Sequence, residues 1–213
     1  MSQNLRVLYL IRHGATEANL KRPYVLQGCR SDLPLSEIGR RQAEAACRAL
    51  QGRPIERFCC SPLRRTVQTA AIVAGPHGKP VEHVESLIEC DVGRWEGLSW
   101  EAISQQDREH WEAFEADPGI VPYAGGESFH EVQCRVVPAI EQWVHHHPAG
   151  DLAIITHNVV ARVYVAHLLG LHISKARFIR NDNCGISLIS IGNGKPKLLT
   201  LNSVLHLDGL LFE

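Results

Sequence analysis

Two short apolar runs in this 213-residue chain end in the same way. Leu5 to Ile11 (LRVLYLI) stops at Arg12-His13-Gly14, and Asp151 to Thr156 (DLAIIT) stops at His157-Asn158. Runs this short, rich in Leu, Ile and Val, suit strands covered on both faces. Such strands belong to parallel sheets, whose members are joined by crossovers, usually helices.

The rest of the chain supplies those crossovers. Ser36 reads as a helix cap, with Gly39, Ala43, Ala46, Cys47 and Leu50 on one face and Gly52 as the stop. Ile55 to Cys60 is a second strand. Ser61-Pro62 reads as a cap serine followed by proline at the first helical position, opening a helix to about Gly75. Pro80 to Val84 is a third strand. Ser99 to about Ala116 has one helical pattern with Trp100, Ile103, Trp111 and Phe114. Ser128 and Glu131 make a capping box for a helix whose pattern contains Pro138, which is expected either to kink it or to shift its start. Val159 to Leu169 is helical. Ile186 to Ile191 and Lys197 to Leu201 form a hairpin about Gly192-Asn193-Gly194. This order predicts an α/β fold, a three-layer α/β/α sandwich on a mostly parallel sheet of about six strands, one of them antiparallel. Residues 1–213 read as one domain, with a lid or insertion at about 92–128.

Charge and composition narrow the function. Lys and Arg number 22 against 23 Asp and Glu, so no global field holds nucleic acid or an anionic membrane. No apolar stretch approaches the roughly 20 residues of a membrane helix. Met1-Ser2-Gln3-Asn4 lacks the order of a signal peptide, which places the protein in the cytoplasm. The seven cysteines are odd in number and form no C-x-x-C pair, against a disulfide framework or zinc ribbon. His145-His146-His147 falls at a helix end, where such side chains suit the helix dipole, and is not read as a metal site.

Ligands of open α/β sheets bind beyond the C-terminal ends of the strands. Arg12 and His13 follow one strand, His157 another, Arg65 sits in a first helical turn after a third, and Glu89 follows the region of Pro80 to Val84. Singly, each has a bland structural explanation. Jointly, they predict two histidines, two arginines and a glutamate converging on one cleft.

This pattern resembles the phosphoglycerate-mutase-like branch of the histidine phosphatase superfamily. Leu10-Ile11-Arg12-His13-Gly14-Ala15-Thr16-Glu17-Ala18-Asn19 is similar to the RHGxTxxN signature of that family. Gln27-Gly28, Asp32, Pro34-Leu35-Ser36 and Gly39 to Ala43 resemble its next block. Ser61 to Ala70 resembles SxLxRAxQTA, with the second arginine at Arg65 and Thr66 in place of the commoner Ala. Leu87-Ile88-Glu89 with Gly93 to Gly97, Gly125-Gly126-Glu127-Ser128, and Ile155-Thr156-His157 complete the series over nearly the whole chain. Asn158 stands where many members have Gly, so the backbone approach to phosphate is expected to differ there.

The resemblance implies a metal-independent phosphomonoesterase without a cofactor, acting through a phosphohistidine on His13. The chemistry of the residues agrees. Guanidinium groups of Arg12 and Arg65 fit the charged oxygens of a phosphoryl group. Their charge also disfavours an imidazolium, keeping His13 neutral and nucleophilic. His157 is expected to donate to a phosphoryl oxygen, and Glu89 to act as general acid and base. Asn19, Gln27, Gly28, Ser128 and Asn158 are expected to add substrate contacts, and His206 to reach the pocket from an Asn202…His206-Leu207 ending. A cofactor-dependent phosphoglycerate mutase is the alternative; such enzymes are usually longer, whereas about 35 residues separate Gly93 from Ser128 here. A non-catalytic module is disfavoured because all five key residues are present. Partners implied are a small phosphorylated metabolite (phosphoserine, phosphoglycerate, a sugar phosphate or α-ribazole phosphate) and, since relatives are often dimers, a second copy in a homodimer.

Overall fold

Alternate side chains of β1 (Arg6–Arg12) serve two different cores. Leu8 and Leu10 point into one, Tyr9 and Ile11 into the other. The same division runs through β2 (Ile55–Cys60) and β4 (Asp151–Thr156): Cys59, Leu152 and Ile154 lie on one face, Phe58, Cys60, Ala153 and Ile155 on the other. A strand with period-two side chains and no polar face must be covered twice. The computed structural model, which describes residues 6–192 and 195–211, covers it twice.

The sheet has six strands in the order β3-β2-β4-β1-β5-β6, with β3 Val81–His83, β5 Ile186–Ile191 and β6 Lys197–Ser203. β5 runs antiparallel to both its neighbours, and the other strands are parallel to one another. On one face lie α2 (Glu37–Leu50) and α3 (Arg64–Ala74), burying Ala43, Ala46, Leu50, Ala70 and Val73. On the other lie α6 (Phe129–His146) and α7 (Asn158–Leu168), burying Val132, Val136, Ile140, Val160 and Tyr164. Each of the Val, Leu and Ile side chains among these contributes about 1.5–3 kcal/mol when fully buried. The remaining helices are α1 (Glu17–Leu20), α4 (Trp100–Gln106) and α5 (Arg108–Ala116). The expected three-layer α/β/α arrangement with one antiparallel strand is therefore present. Among the described residues no helix is long and apolar enough to cross a membrane.

Strand register positions the site. Arg12 pairs with Thr156 across the parallel β1–β4 ladder, so His13 and His157 leave the sheet side by side. The backbone N–H of His13 donates to the Thr156 carbonyl at 2.9 Å. Ser61, leaving β2 beside them, donates its N–H to the Ile155 carbonyl.

Several local expectations need correction. Ser61 does not cap α3, which begins at Arg64 with Leu63 in the capping position. Asp32, distant in sequence, accepts from the Arg64 N–H instead, while Ser61 Oγ accepts from the Leu63 N–H at 3.4 Å and faces His157 Nε2 at 2.7 Å. The helical pattern of Ser99 to Ala116 is broken at Asp107, whose backbone leaves helical geometry. Its carboxylate accepts from Trp95 Nε1 and from Arg94, which explains the break. Pro138 does not shift the start of α6, which runs from Phe129 through the proline to His146. The loop after β1 contains α1, which the sequence pattern did not suggest. The first five residues, among them Leu5 of the expected first strand, and the Asn193-Gly194 centre of the expected hairpin turn lie outside the described residues.

The loop after β1 is pressed against the start of α2. A Cβ on Gly39 would lie 2.0 Å from the Ala15 carbonyl oxygen, and one on Gly14 would lie 2.3 Å from that of Gly39. Both obstacles are backbone, which cannot rotate away. Gly39→Ala is expected to destabilise the protein by on the order of 3 kcal/mol, read as a fall in the denaturant midpoint. Arg40→Ala, at an exposed neighbour, should leave the midpoint in place. Equal midpoints for wild type and Gly39→Ala would refute the close approach.

Candidate active site

His13 is 3% exposed and His157 is fully buried, their rings 5.2 Å apart and edge to face. His13 Nδ1 lies 2.7 Å from the Gly14 carbonyl oxygen. A carbonyl only accepts, so Nδ1 carries the proton and Nε2 carries the lone pair. His157 Nε2 lies 2.7 Å from Ser61 Oγ, and His157 Nδ1 has no partner within the protein.

Two buried guanidinium groups flank these rings. Arg12 donates from Nη1 to the Asn181 carbonyl at 2.7 Å. Arg65 donates from Nη1 to Ser31 and from Nη2 to Gly28, both backbone carbonyls. Backbone carbonyls fix the groups in place without neutralising them. The Nε atoms of both arginines are buried and have no partner within the protein. Burial pushes the His13 pKa well below its usual range, and repulsion from Arg65 and then Arg12 adds to it. His157 is lowered in the same way, first by burial and then by Arg65, His13 and Arg12. Both imidazoles are therefore neutral near neutral pH.

That neutrality has a signed consequence for stability. An unfolded histidine takes up a proton near pH 6.5, while the buried pair resists protonation until the pH is lower. The unfolded state thus binds more protons in that window, and stability falls as pH drops through it. His77 and His206, also lowered chiefly by burial, add the same sign. The denaturant midpoint should drop between about pH 7 and about pH 5, and His13→Ala should make the drop shallower. A profile equally steep in the variant would refute the neutral, buried His13.

Glu89 is 4% exposed. Its Oε1 accepts from the Cys90 N–H, and its Oε2 from the N–H groups of Asn158 and Val159 at the start of α7. A helix N-terminus suits a carboxylate. His13, Arg12, Glu89, Asn19, Gln27 and Asn158 line one cavity of about 330 Å³ at the C-terminal end of the sheet.

A family profile for the histidine phosphatase superfamily, branch 1, matches residues 8–204. The chain belongs to the histidine phosphatase superfamily. It is 31% identical over 206 residues to phosphoserine phosphatase 1 of Hydrogenobacter thermophilus, covering 97% of this chain and 96% of that one. It is 29% identical over 196 residues to the adenosylcobalamin/alpha-ribazole phosphatase of Escherichia coli, covering 92% and 95%. The solved structure of Bacillus stearothermophilus YhfR matches with a TM-score of 0.87 at 28% identity, covering 95% of this chain and 99% of that chain.

The other expected contacts of this histidine phosphatase are divided. Asn19 Oδ1 accepts from the Thr16 N–H, so Asn19 caps α1 while also lining the cavity. Gln27 Oε1 accepts from the Thr16 hydroxyl, and its buried Nε2 has no partner within the protein. Gly28 gives its N–H to Glu96 and its carbonyl to Arg65, so it orients the arginine and offers no free N–H to a substrate. Ser128 is engaged with Glu131 in the capping box of α6 and is absent from the cavity wall. His206 places Nε2 3.0 Å from the Cys184 carbonyl oxygen and does not line the cavity either. The chain end is held there because Asn202 is tied to Asp182.

Sequence reasoning missed four supporting residues. Ser61 faces His157, and its motif position was the available signal. Asn183 donates to the His13 carbonyl from a loop with no distinguishing pattern. Glu127 and Arg135 form a buried-edge ion pair, and Arg135 also donates to the carbonyls of Ser86, Ile88 and Glu89. The Glu127-Arg135 pair thereby holds the loop that presents Glu89, and the GGES motif pointed to its first member.

Proposed function

We propose that this histidine phosphatase hydrolyses a small phosphomonoester through a phosphohistidine on His13. The observation that carries this reading is one arrangement: an imidazole with its lone pair assigned to Nε2, beside two buried guanidinium groups that keep unpaired Nε donors. Oriented, neutral nucleophiles next to fixed positive charge favour phosphoryl transfer.

In this reading Nε2 of His13 attacks phosphorus as the bond to the leaving oxygen breaks. Arg12 and Arg65 hold the equatorial oxygens and supply the charge that a divalent cation supplies elsewhere. His157, oriented by Ser61, donates from Nδ1 to a phosphoryl oxygen. As general acid, Glu89 gives a proton to the leaving alkoxide. It then takes one from water as the water oxygen attacks phosphorus and the P–N bond breaks, returning His13 with its lone pair. The segment at 92–128 acts as the cover of the pocket. Trp95, Phe114, Tyr123 and Phe129 of this region and the start of α6 pack on one another, while Trp100 and Tyr123 also face the cavity.

Relatives named for phosphoserine and for alpha-ribazole support a small phosphorylated metabolite as substrate. The test is rapid quenching of EDTA-treated protein with ³²P-labelled monoesters. Acid-labile, base-stable label on the wild type, with release of phosphate to water, is the expected result. Turnover with no labelled protein at any quench time would overturn the phosphohistidine. Transfer of label to 2- or 3-phosphoglycerate faster than release of phosphate would favour mutase chemistry.

A further inference from the structure

One cation at the cavity has no part in the chemistry above. Arg162 lies on α7, five positions after His157, and lines the same cavity as His13 and Glu89. It also lines a second cavity, of about 400 Å³, walled by Trp111, Phe114 and Phe129. Trp100 and Tyr123 are common to both walls, so Arg162 stands where the phosphate site opens toward the aromatic segment.

Like Arg12 and Arg65, and unlike several arginines outside the site, it lacks an acidic partner among the described residues. Arg135 pairs with Glu127, Arg177 with Glu115 and Arg30 with Asp91. Among the described residues no carboxylate pairs with Arg162, and its buried Nε has no partner within the protein. A guanidinium stays charged at any working pH, and a half-buried charge with no carboxylate partner is costly. Burial, and then repulsion from Arg12, lower its pKa, as expected of a cation held against its own preference. The unsatisfied group therefore points to an anion that arrives with the substrate.

We propose that Arg162 is a specificity residue that receives a carboxylate carried by the substrate a few bonds from its phosphate. The identity of the first anion rests on the phosphomonoesterase reading. Geometry chooses the second. The two oxygens of a carboxylate match the guanidinium fork, and Arg162 keeps a buried, unpaired Nε at the mouth shared by the two cavities to receive one of them.

The experiment compares wild type with Arg162→Met, which keeps length and loses charge, and with Arg162→Lys. The substrates are O-phosphoserine and O-phosphoethanolamine, which differ by the carboxylate alone. Wild type should prefer phosphoserine in kcat/KM. Arg162→Met should reduce that preference at least about tenfold, chiefly through KM for phosphoserine, as loss of charge-assisted hydrogen bonds predicts. Arg162→Lys should recover part of it. Equal losses on both esters would overturn the proposal, since they would mark Arg162 as a general phosphate clamp or a structural residue.

A binding arm separates this inference from the catalytic reading. Calorimetry on the His13→Ala protein should give tighter binding of 3-phosphoglycerate than of glycerol 3-phosphate, a preference lost on adding Arg162→Met. If wild type hydrolyses neither ester, the phosphatase reading passes to other monoesters while this arm still decides for or against Arg162. No preference for the carboxylate in the His13→Ala protein would overturn the inference by itself.

Discussion

Replacing His13 with alanine should lower phosphate release from every monoester by at least about 10⁴-fold, the scale on which nucleophile deletions act. No neighbour can take over. His157 presents Nε2 to Ser61 rather than to the site, and the thiols of Cys59, Cys60 and Cys184 are held protonated by burial. The variant should nonetheless fold, because removing a buried neutral imidazole leaves only the Gly14 carbonyl without its partner, at a cost of about 1–3 kcal/mol. It should still bind phosphate, since the clamps on Arg12 and Arg65 are anchored to backbone carbonyls of Asn181, Ser31 and Gly28 and not to His13. The decisive measurements are steady-state release from a panel of monoesters and phosphate binding by calorimetry on the same preparation. Activity within about tenfold of wild type would remove His13 as nucleophile. Loss of both binding and activity would recast it as a residue that shapes the phosphate site.

Much of this architecture was legible in the sequence because it rests on local signals. The β1 and β4 runs are apolar on both faces, and that alone calls for a sheet covered twice. Ser36 and Ser128 cap the helices expected of them, since the bond from serine to the N–H three residues on is formed within one turn. The convergence of His13 with His157 was legible for a different reason. Both follow strand ends, and a parallel ladder in register brings strand ends together.

What the sequence hid depends on contacts between distant residues. Ser61 has every local mark of a cap, but Asp32 reaches the end of α3 first, and the serine hydroxyl goes to His157. Asp107 sits inside an unbroken helical period until Arg94 and Trp95 claim its carboxylate. Arg162 reads as an ordinary polar position on α7. Its meaning appears only when its buried Nε is seen to have no partner and, among the described residues, no carboxylate is seen to pair with it. His206 failed in the opposite sense. The Asn-x-x-x-His-Leu ending suggested a chain end turned toward the substrate, yet Asn202 and His206 are both spent on tying residues 182–184 in place. Those residues in turn hold His13 through Asn183, so the chain end supports the site from behind.

Glu89→Gln should separate the two halves of the reaction. With an alkyl monoester, whose leaving oxygen needs a proton, turnover should fall about 10²–10⁴-fold, the usual contribution of a general acid. With p-nitrophenyl phosphate the leaving group departs without a proton, so phosphorylation of His13 should proceed nearly as before. Hydrolysis of the phosphohistidine still needs a base to activate water. The variant should therefore release one nitrophenol per site in a burst and then turn over slowly. The structure also supplies the competing explanation. Glu89 accepts three backbone N–H groups, from Cys90, Asn158 and Val159. A glutamine offers one oxygen, and its amide nitrogen must face at least one of those donors, leaving an N–H unpaired at a cost of about 1–3 kcal/mol. If Glu89 served only to hold the start of α7, that cost would displace Asn158 and the His157 turn and would slow both substrates alike. Equal losses with no burst would thus assign Glu89 to positioning. A burst with an intact first step would place it at the reacting atoms, because only a proton-transfer role distinguishes one leaving group from another.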